Sequence, residues 1–361
     1  MTRVTIRHVA EEAGYSVTAV SRYLNKQISL PEQTARRIDE AVAKLNYRPN
    51  SLARRLTRGK SETIGFITSD IAYPLFAAIA SASEAEAAAH GYSLLMFNSR
   101  NLVENEISFL SRIDDLQVEG VLLMTNHSDH GQLAKKINQS GNVVLIDEDV
   151  PDADAPRLFA DNIAGARIAT EHLISAGHRR IAVIAGPEAL LSSIERLAGF
   201  REAMAGAGIS VDEDLILAGP YEEITGETGF SALIDRPEPP TAVFAFADML
   251  AIGAIKMARK RGLKIPEDVS LISFDDIHHA EVLDPPLTTV RQSPEEFGRR
   301  GVNMLLDLIR EKKPQQAVQR IGVELDAHYY TARSHAHLVK GLPNATLSDT
   351  EQLVNWERLV K

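Results

Sequence analysis

Apolar residues recur at helical spacing over the first fifty positions and gather into short solid runs after that. In residues 5–25, TIRHVAEEAGYSVTAVSRYLN, Val9, Ala10 and Ala13 share one face of a short helix. Thr5 stands where its hydroxyl can accept from an orphan backbone amide. Gly14 permits a tight left-handed turn, and Ser16 caps a second helix. Val20 and Leu24, four apart, turn inward, while Val17, Thr18, Ser21, Arg22 and Asn25 fall on the opposite side. That outer side is polar, short and carries one guanidinium, which suits entry into a groove. The pattern predicts a helix-turn-helix whose second helix reads DNA, although an ordinary helical hairpin has the same outline. Residues 31–47 predict a third helix, with Pro31 in its first turn and Ile38, Val42 and Leu45 closing a small core. Pro49 stops it. Residues 50–58 then have the composition of a short basic helix, with Leu52, Ala53 and Leu56 apolar among Arg54, Arg55 and Arg58. Such a piece suits a minor groove, with Leu56 as a wedge between base steps. Its bland alternative is a basic linker.

From Thr63 the pattern alternates. Runs at 63–68, 92–99, 120–125 and 143–147 read as buried strands, and 74–91, 104–117 and 129–140 as helices between them. The cycle restarts with a helix at 162–176. Strands follow at 180–186, 241–246 and 269–275, with helices at 192–207, 223–234 and 248–261. A long helix at 294–311 and a closing strand at 321–330 complete the pattern. Strand–helix alternation implies parallel sheets covered on both faces. The fold class is therefore α/β: a helix-turn-helix head and hinge helix, then a two-lobed, doubly wound α/β body. The expected domains are a head at 1–48, a hinge at 49–61, a body at 62–338 and an extension at 339–361. Lobe one takes about 62–160 and 291–320, and lobe two about 161–290 and 321–338. Three crossings between lobes make a hinged cleft, and ligands in open α/β sheets lie beyond the carboxyl ends of strands. Those ends carry Asp147, Asp161, Arg196, Asp248 and Asp275 with the aromatics Tyr73, Phe76 and Phe246. Carboxylates and an arginine suit vicinal hydroxyls, and an aromatic face covers the apolar side of a sugar ring. About half of such acids would serve only as caps for the following helix, and Asp248 is expected to be one of these.

Charge sharpens the division. The whole chain of 361 residues carries a net charge of −10. Its first 60 residues, however, hold 12 Lys and Arg against 5 Asp and Glu, and the rest 27 against 44. A basic head on an acidic body is an electrostatic footprint for nucleic acid, and the acidic body disfavours wrong-way docking. With no cysteine, disulfides and thiolate chemistry are excluded. No signal peptide or membrane-spanning run is legible, so a cytoplasmic protein is expected.

Residues 1–60 resemble the DNA-binding head of the lac-repressor/galactose-repressor (LacI/GalR) family. The shared pattern is TI-x-x-VA-x-x-AG-x-S-x-x-x-VSR-x-LN, then a third helix, then Y-x-PN-x-x-AR-x-L. The resemblance implies that Val17, Thr18 and Arg22 read base edges, Arg22 taking guanine bidentately. It implies that Thr5, Ser16, Ser21, Asn25 and Tyr47 hold phosphates. Asn50 and Arg54 belong to the same pattern in the hinge, where Ala53 and Leu56 form the minor-groove lever. His8 departs from the usual Asp and is expected to weaken the cap on the first helix. The body follows the family over nearly its whole length, in DNIAGARIATEHLISAGHRRIAVIAG, RLAGFREAMAGAGI, TAVFAFADMLAIGAI and PPLTTVRQ. Such bodies are similar to periplasmic sugar-binding proteins. Carried over by position, Asp147, Arg196 and Asp275 would bond an effector, joined by Gln292 and by Tyr73 or Phe76. Ala247 departs from the family's usual Asn and removes a polar handle.

The resemblance implies a transcriptional repressor, bound as a homodimer to a near-palindromic double-stranded operator and controlled by a sugar-like effector; a tetramer stays open. No phosphate-binding glycine loop, nucleophile elbow or metal-ligand spacing is found, so no cofactor, no metal and no enzymatic activity are expected. A solute-binding protein for uptake would lack the basic head. An enzyme acting on a sugar would need an acid–base pair, and Asp275 and Asp276 should point to opposite faces of their strand.

Overall fold

The computed structural model describes residues 4–25, 28–47, 61–113, 115–127, 131–312 and 316–326. The hinge residues Asn50, Ala53, Arg54 and Leu56 and the extension at 339–361 lie outside the described residues. Two compact units are present, Met1–Glu62 and Thr63–Lys361.

The first unit contains α1 (Ile6–Ala13), α2 (Val17–Leu24) and α3 (Glu32–Lys44). Val9, Ala10, Ala13, Val20, Ile38 and Ala41 form its buried core, with Val42, Leu45 and Tyr47 packed at the margin. Gly14 ends α1 at φ 75°, the left-handed geometry that a tight turn requires. His8 keeps the capping-box geometry. Its Nδ1, when unprotonated, accepts from the Thr5 amide at 3.1 Å, taking the place of the usual carboxylate without its charge. Lys44 Nζ to Glu12 at 2.7 Å and Tyr23 Oη to Asp39 at 2.9 Å tie α3 to the other two helices.

The second unit holds two six-stranded sheets. Sheet one runs in the order β11-β5-β4-β3-β1-β2, comprising β1 (Thr63–Thr68), β2 (Ser93–Asn98), β3 (Val121–Leu123), β4 (Val143–Ile146), β5 (Arg157–Ala160) and β11 (Val318–Ile321). All its pairings are parallel. Helices α4 (Pro74–Ala89), α5 (Val103–Ser111) and α6 (Gln132–Ser140) connect its strands. Sheet two runs β12-β10-β9-β8-β6-β7, comprising β6 (Ile181–Ala185), β7 (Ile216–Ala218), β8 (Ala242–Ala245), β9 (Ser270–Asp275), β10 (Thr289–Arg291) and β12 (Glu324–Asp326). Only β12 is antiparallel among these described pairings. Lobe two also carries α7 (Asn162–Ser175), α8 (Leu191–Gly206), α9 (Glu223–Ile234), α10 (Asp248–Lys260) and the short α11 (His278–Glu281). Then α12 (Pro294–Ile309) returns to lobe one, where Phe297, Val302, Leu305 and Leu306 pack with Ile64 and Phe66.

The two-lobed, doubly wound expectation holds. Several details differ from the sequence reading. The helix expected over 104–117 ends at Ser111, because turns carry the chain through Ile113 to Val118, both buried. The run read as one closing strand from 321 is divided at residues 322–323, so that β11 joins sheet one and β12 joins sheet two. Strands β5, β7 and β10 are only three or four residues long, too short for a periodicity to register.

Candidate functional site

On the first unit, α2 presents a short outward face. Val17 is 40 % exposed, and Thr18 and Arg22 are exposed beside it. Ser16 Oγ accepts from the Ala19 amide at 3.2 Å, which caps the helix and leaves the hydroxyl proton free to donate elsewhere. Asn25 Nδ2 reaches Ser21 Oγ at 3.4 Å, holding two of the expected phosphate partners together. Thr5, at the start of α1, is exposed, whereas Tyr47 is half-buried against the core.

On the second unit, the strand ends of both lobes enclose a cavity of about 320 Å³. Tyr73, Phe76, Asp147, Arg196, Asp275 and Gln292 all line it. Phe246, expected to join them, does not: its ring is fully buried in the lobe-two core, edge-on to Phe244 at 5.0 Å. Its contribution is its backbone carbonyl, which accepts from Arg196 Nη1. Asp248 is a second correction. It sits in the first turn of α10, behind an Ala247 cap, and is fully buried. Its carboxylate accepts from Thr289 Oγ1 at 2.8 Å, the Ile277 amide at 2.8 Å, and Ser273 Oγ, so it joins β9, the loop after it and the start of β10 rather than capping its own helix. Asp161 does cap α7, accepting from the Ala164 amide at 3.2 Å.

Arg196 and Asp275 form the centre. Arg196 Nε donates to Asn162 Oδ1 at 3.0 Å, and Nη1 lies 3.7 Å from Asp275 Oδ1. The guanidinium is stacked 3.7 Å over the Phe274 ring, so its flat face is covered by π-electrons while its N–H groups point outward in the plane. Asp275 accepts from Tyr73 Oη and from Gln292 Nε2, each at 2.8 Å. It holds φ at 117°, a left-handed geometry that turns its carboxylate into the cavity while Asp276 pairs with Arg291 outside, at 2.5 Å. Burial raises the Asp275 pKa, against the pull of Arg196 and the Tyr73 and Gln292 hydrogen bonds.

Glu148 and Tyr221 escaped the sequence reading. Glu148 is buried, and its carboxylate accepts from the Ser192 amide at 3.2 Å and from Ser192 Oγ. Tyr221 Oη lies 3.0 Å from the same Ser192 hydroxyl. Glu148 belongs to lobe one and Ser192 to lobe two, as do Tyr73 and Asp275 respectively. Two sets of hydrogen bonds therefore cross the cavity. Burial, reinforced by Asp147, pushes Glu148 up to about 8. At the crossing itself, Arg320 makes a fork to Glu195 at 2.8 and 2.5 Å and donates to the Ala160 carbonyl at 3.2 Å. Only a strand-end acid immediately after Asp147 signalled Glu148 in the sequence.

Among the described residues, no group of three metal-ligating side chains occurs and no helix is long and apolar enough to cross a membrane.

Comparisons with known proteins agree with this geometry. The family model for bacterial regulatory proteins, lacI family, matches residues 5–50, and that for a periplasmic binding protein-like domain matches residues 170–327. The transcriptional repressor CytR of Escherichia coli (strain K12) is 35 % identical over 306 residues, covering 85 % of this chain and 90 % of its own. A lac repressor dimer bound to operator and an anti-inducer superposes with a TM-score of 0.82 at 27 % identity, over 92 % of this chain and 100 % of that one. The regulator CelR, in complex with cellobiose, gives 0.70 at 30 % identity, over 91 % of this chain and 100 % of its own.

Proposed function

The chain belongs to the lacI family of bacterial regulatory proteins, and from that premise we propose that it is a repressor whose grip on an operator is set by a small carbohydrate-like effector in the body cavity. The observation that carries the proposal is the cavity itself, walled by two lobes that bond to each other across it through Tyr73–Asp275 and Glu148–Ser192. An occupant that competes for those bonds shifts the balance between closed and open lobes. Arg196 and Asp275 offer paired donors and acceptors to ring hydroxyls, and Tyr73 and Phe76, 4.6 Å apart, give an apolar wall. Asp275 and Glu148 serve as acceptors in that network, which fits a binder and not a turnover site.

In the head, phosphate contacts from Thr5, Ser16, Ser21, Asn25 and Tyr47 set affinity, and Val17, Thr18 and Arg22 set sequence preference. Two heads on a homodimer match a near-palindromic site. Hinge residues Asn50, Ala53, Arg54 and Leu56 complete the grip in the minor groove, and rotation of lobe one relative to its dimer mate would separate the two hinges.

The test is in vitro selection of a duplex site by the full chain, then gel shifts on that site with a panel of sugars. A selected near-palindrome whose retention changes with at least one sugar is expected. Arg196→Ala should abolish the change. No enrichment over random duplex, or retention indifferent to every metabolite tried, overturns the proposal.

A further inference from the structure

The cavity is unequal in charge. Among its described lining residues, Asp70, Asp147, Glu148, Glu222 and Asp275 face a single guanidinium, Arg196. Its Nε and Nη1 are already committed to Asn162, the Phe246 carbonyl and Asp275, which leaves Nη2 for a ligand hydroxyl. Glu148 is held by Ser192. Asp147 is different. It is 93 % buried in complement to its 7 % exposure, lines the cavity, and no described side chain or amide donates to its carboxylate. Its backbone sits at φ 75°, a conformation that a residue with a side chain adopts at a cost and that fixes its direction. Gln292, 2 % exposed, adds a second vacancy of the same sign: its Nε2 is used on Asp275, while its Oε1 is buried without a donor. Two buried acceptors of the cavity, the Asp147 carboxylate and Gln292 Oε1, therefore await donors. The side chain of Ala247, which also lines the cavity, has no polar atom to offer.

A buried carboxylate without a partner is costly, and it is relieved by a cation that brings its own N–H groups. We propose that the effector is a sugar bearing a free amine, and that Asp147 binds its ammonium while Arg196 and Asp275 take the ring hydroxyls. The inference rests on the carbohydrate reading above and narrows it. Burial, set against Arg196 and reinforced by Asp275, lifts Asp147 to about 6, which is the state a bound ammonium would reverse. A phosphate or carboxylate on the sugar meets the opposite situation, entering beside Asp147, Glu148 and Asp275 with a single, partly committed guanidinium to greet it.

Calorimetry on the full chain with three pairs of probes tests this: glucosamine with glucose, galactosamine with galactose, and mannosamine with mannose, plus the N-acetylated and 6-phosphorylated forms. For at least one pair the amine should bind at least about tenfold more tightly than its parent, the size of one charge-assisted hydrogen bond. N-acetylation, which removes the charge, should erase that gain, and the phosphate should not bind. Asp147→Asn should bring amine and parent to the same affinity. If that variant fails to fold, the N-acetyl comparison on the unaltered chain still decides. Equal affinity within every pair, a preference for the phosphate, or no binding by any hexosamine overturns the inference. The carbohydrate reading survives each of those results if some neutral sugar still shifts operator binding, and falls only if none does.

Discussion

At the scale of single residues, acids dominate the buried charges of the body. Glu106, fully buried on α5, accepts from Ser99 Oγ at 3.1 Å and Thr125 Oγ1 at 2.9 Å. Burial raises its pKa from 4.5 to about 7, although both hydrogen bonds oppose the shift. A carboxyl whose folded-state pKa lies above its unfolded one holds its proton more tightly when folded. Its stabilising effect is complete below pH 4.5 and is lost as the pH rises through 7. Glu106→Gln should therefore flatten the fall in melting temperature between pH 5 and 8, a difference worth up to about 3 kcal/mol at the upper end. Asp248 and Glu148, both raised to about 8 by burial, titrate in the same sense but remain in the variant, so the difference reports Glu106 alone. Parallel melting profiles would contradict this. Such acids were only partly legible beforehand. Asp275 stands out in the sequence by closing a buried strand, and Arg196 by lying one turn into the helix that follows one, where no capping role explains it. Glu106 sits mid-helix, where a glutamate ordinarily faces water, and nothing local marks its burial. Phe246 misled for the reverse reason: an aromatic at a strand end fills a core as readily as it covers a sugar.

At the scale of elements, the helices of lobe two pack at unusually close range. A Cβ on Gly253 of α10 would stand 2.0 Å from the Glu223 carbonyl, and one on Gly226 of α9 would stand 2.0 Å from the Leu250 carbonyl. The two glycines thus let α9 and α10 touch backbone to backbone. Read along the chain, glycines inside helices look like weaknesses, since each costs roughly 1 kcal/mol relative to alanine. Here the loss is offset by contact that no larger residue allows. Gly253→Ala should lower the urea midpoint by an amount equivalent to about 1–3 kcal/mol despite its better helix propensity. An unchanged or higher midpoint would show that the helices can separate freely. The longer elements were legible because their apolar periods span several turns. The short strands were not: β10 owes its position to pairing with β9 and β12 rather than to its own three residues.

At the scale of the whole molecule, the contrast between a basic first sixty residues and an acidic remainder was visible in composition alone. So was the doubling of the α/β pattern. What composition could not give is the pair of bonds that cross the cavity, because Tyr73 and Asp275 are 202 positions apart in the chain. These bonds put the effector in competition with contacts the protein makes to itself, and this is how occupancy would be converted into a choice between lobe arrangements.

Because such coupling is reciprocal, it has a direct measurement: the effector's dissociation constant for the full chain, determined by calorimetry with and without saturating operator duplex. The two values should differ by the same factor by which the effector changes operator affinity, within about 5- to 150-fold for ordinary allosteric coupling. Identical values with and without the duplex would mean that the cavity and the head do not communicate, and the account would fail.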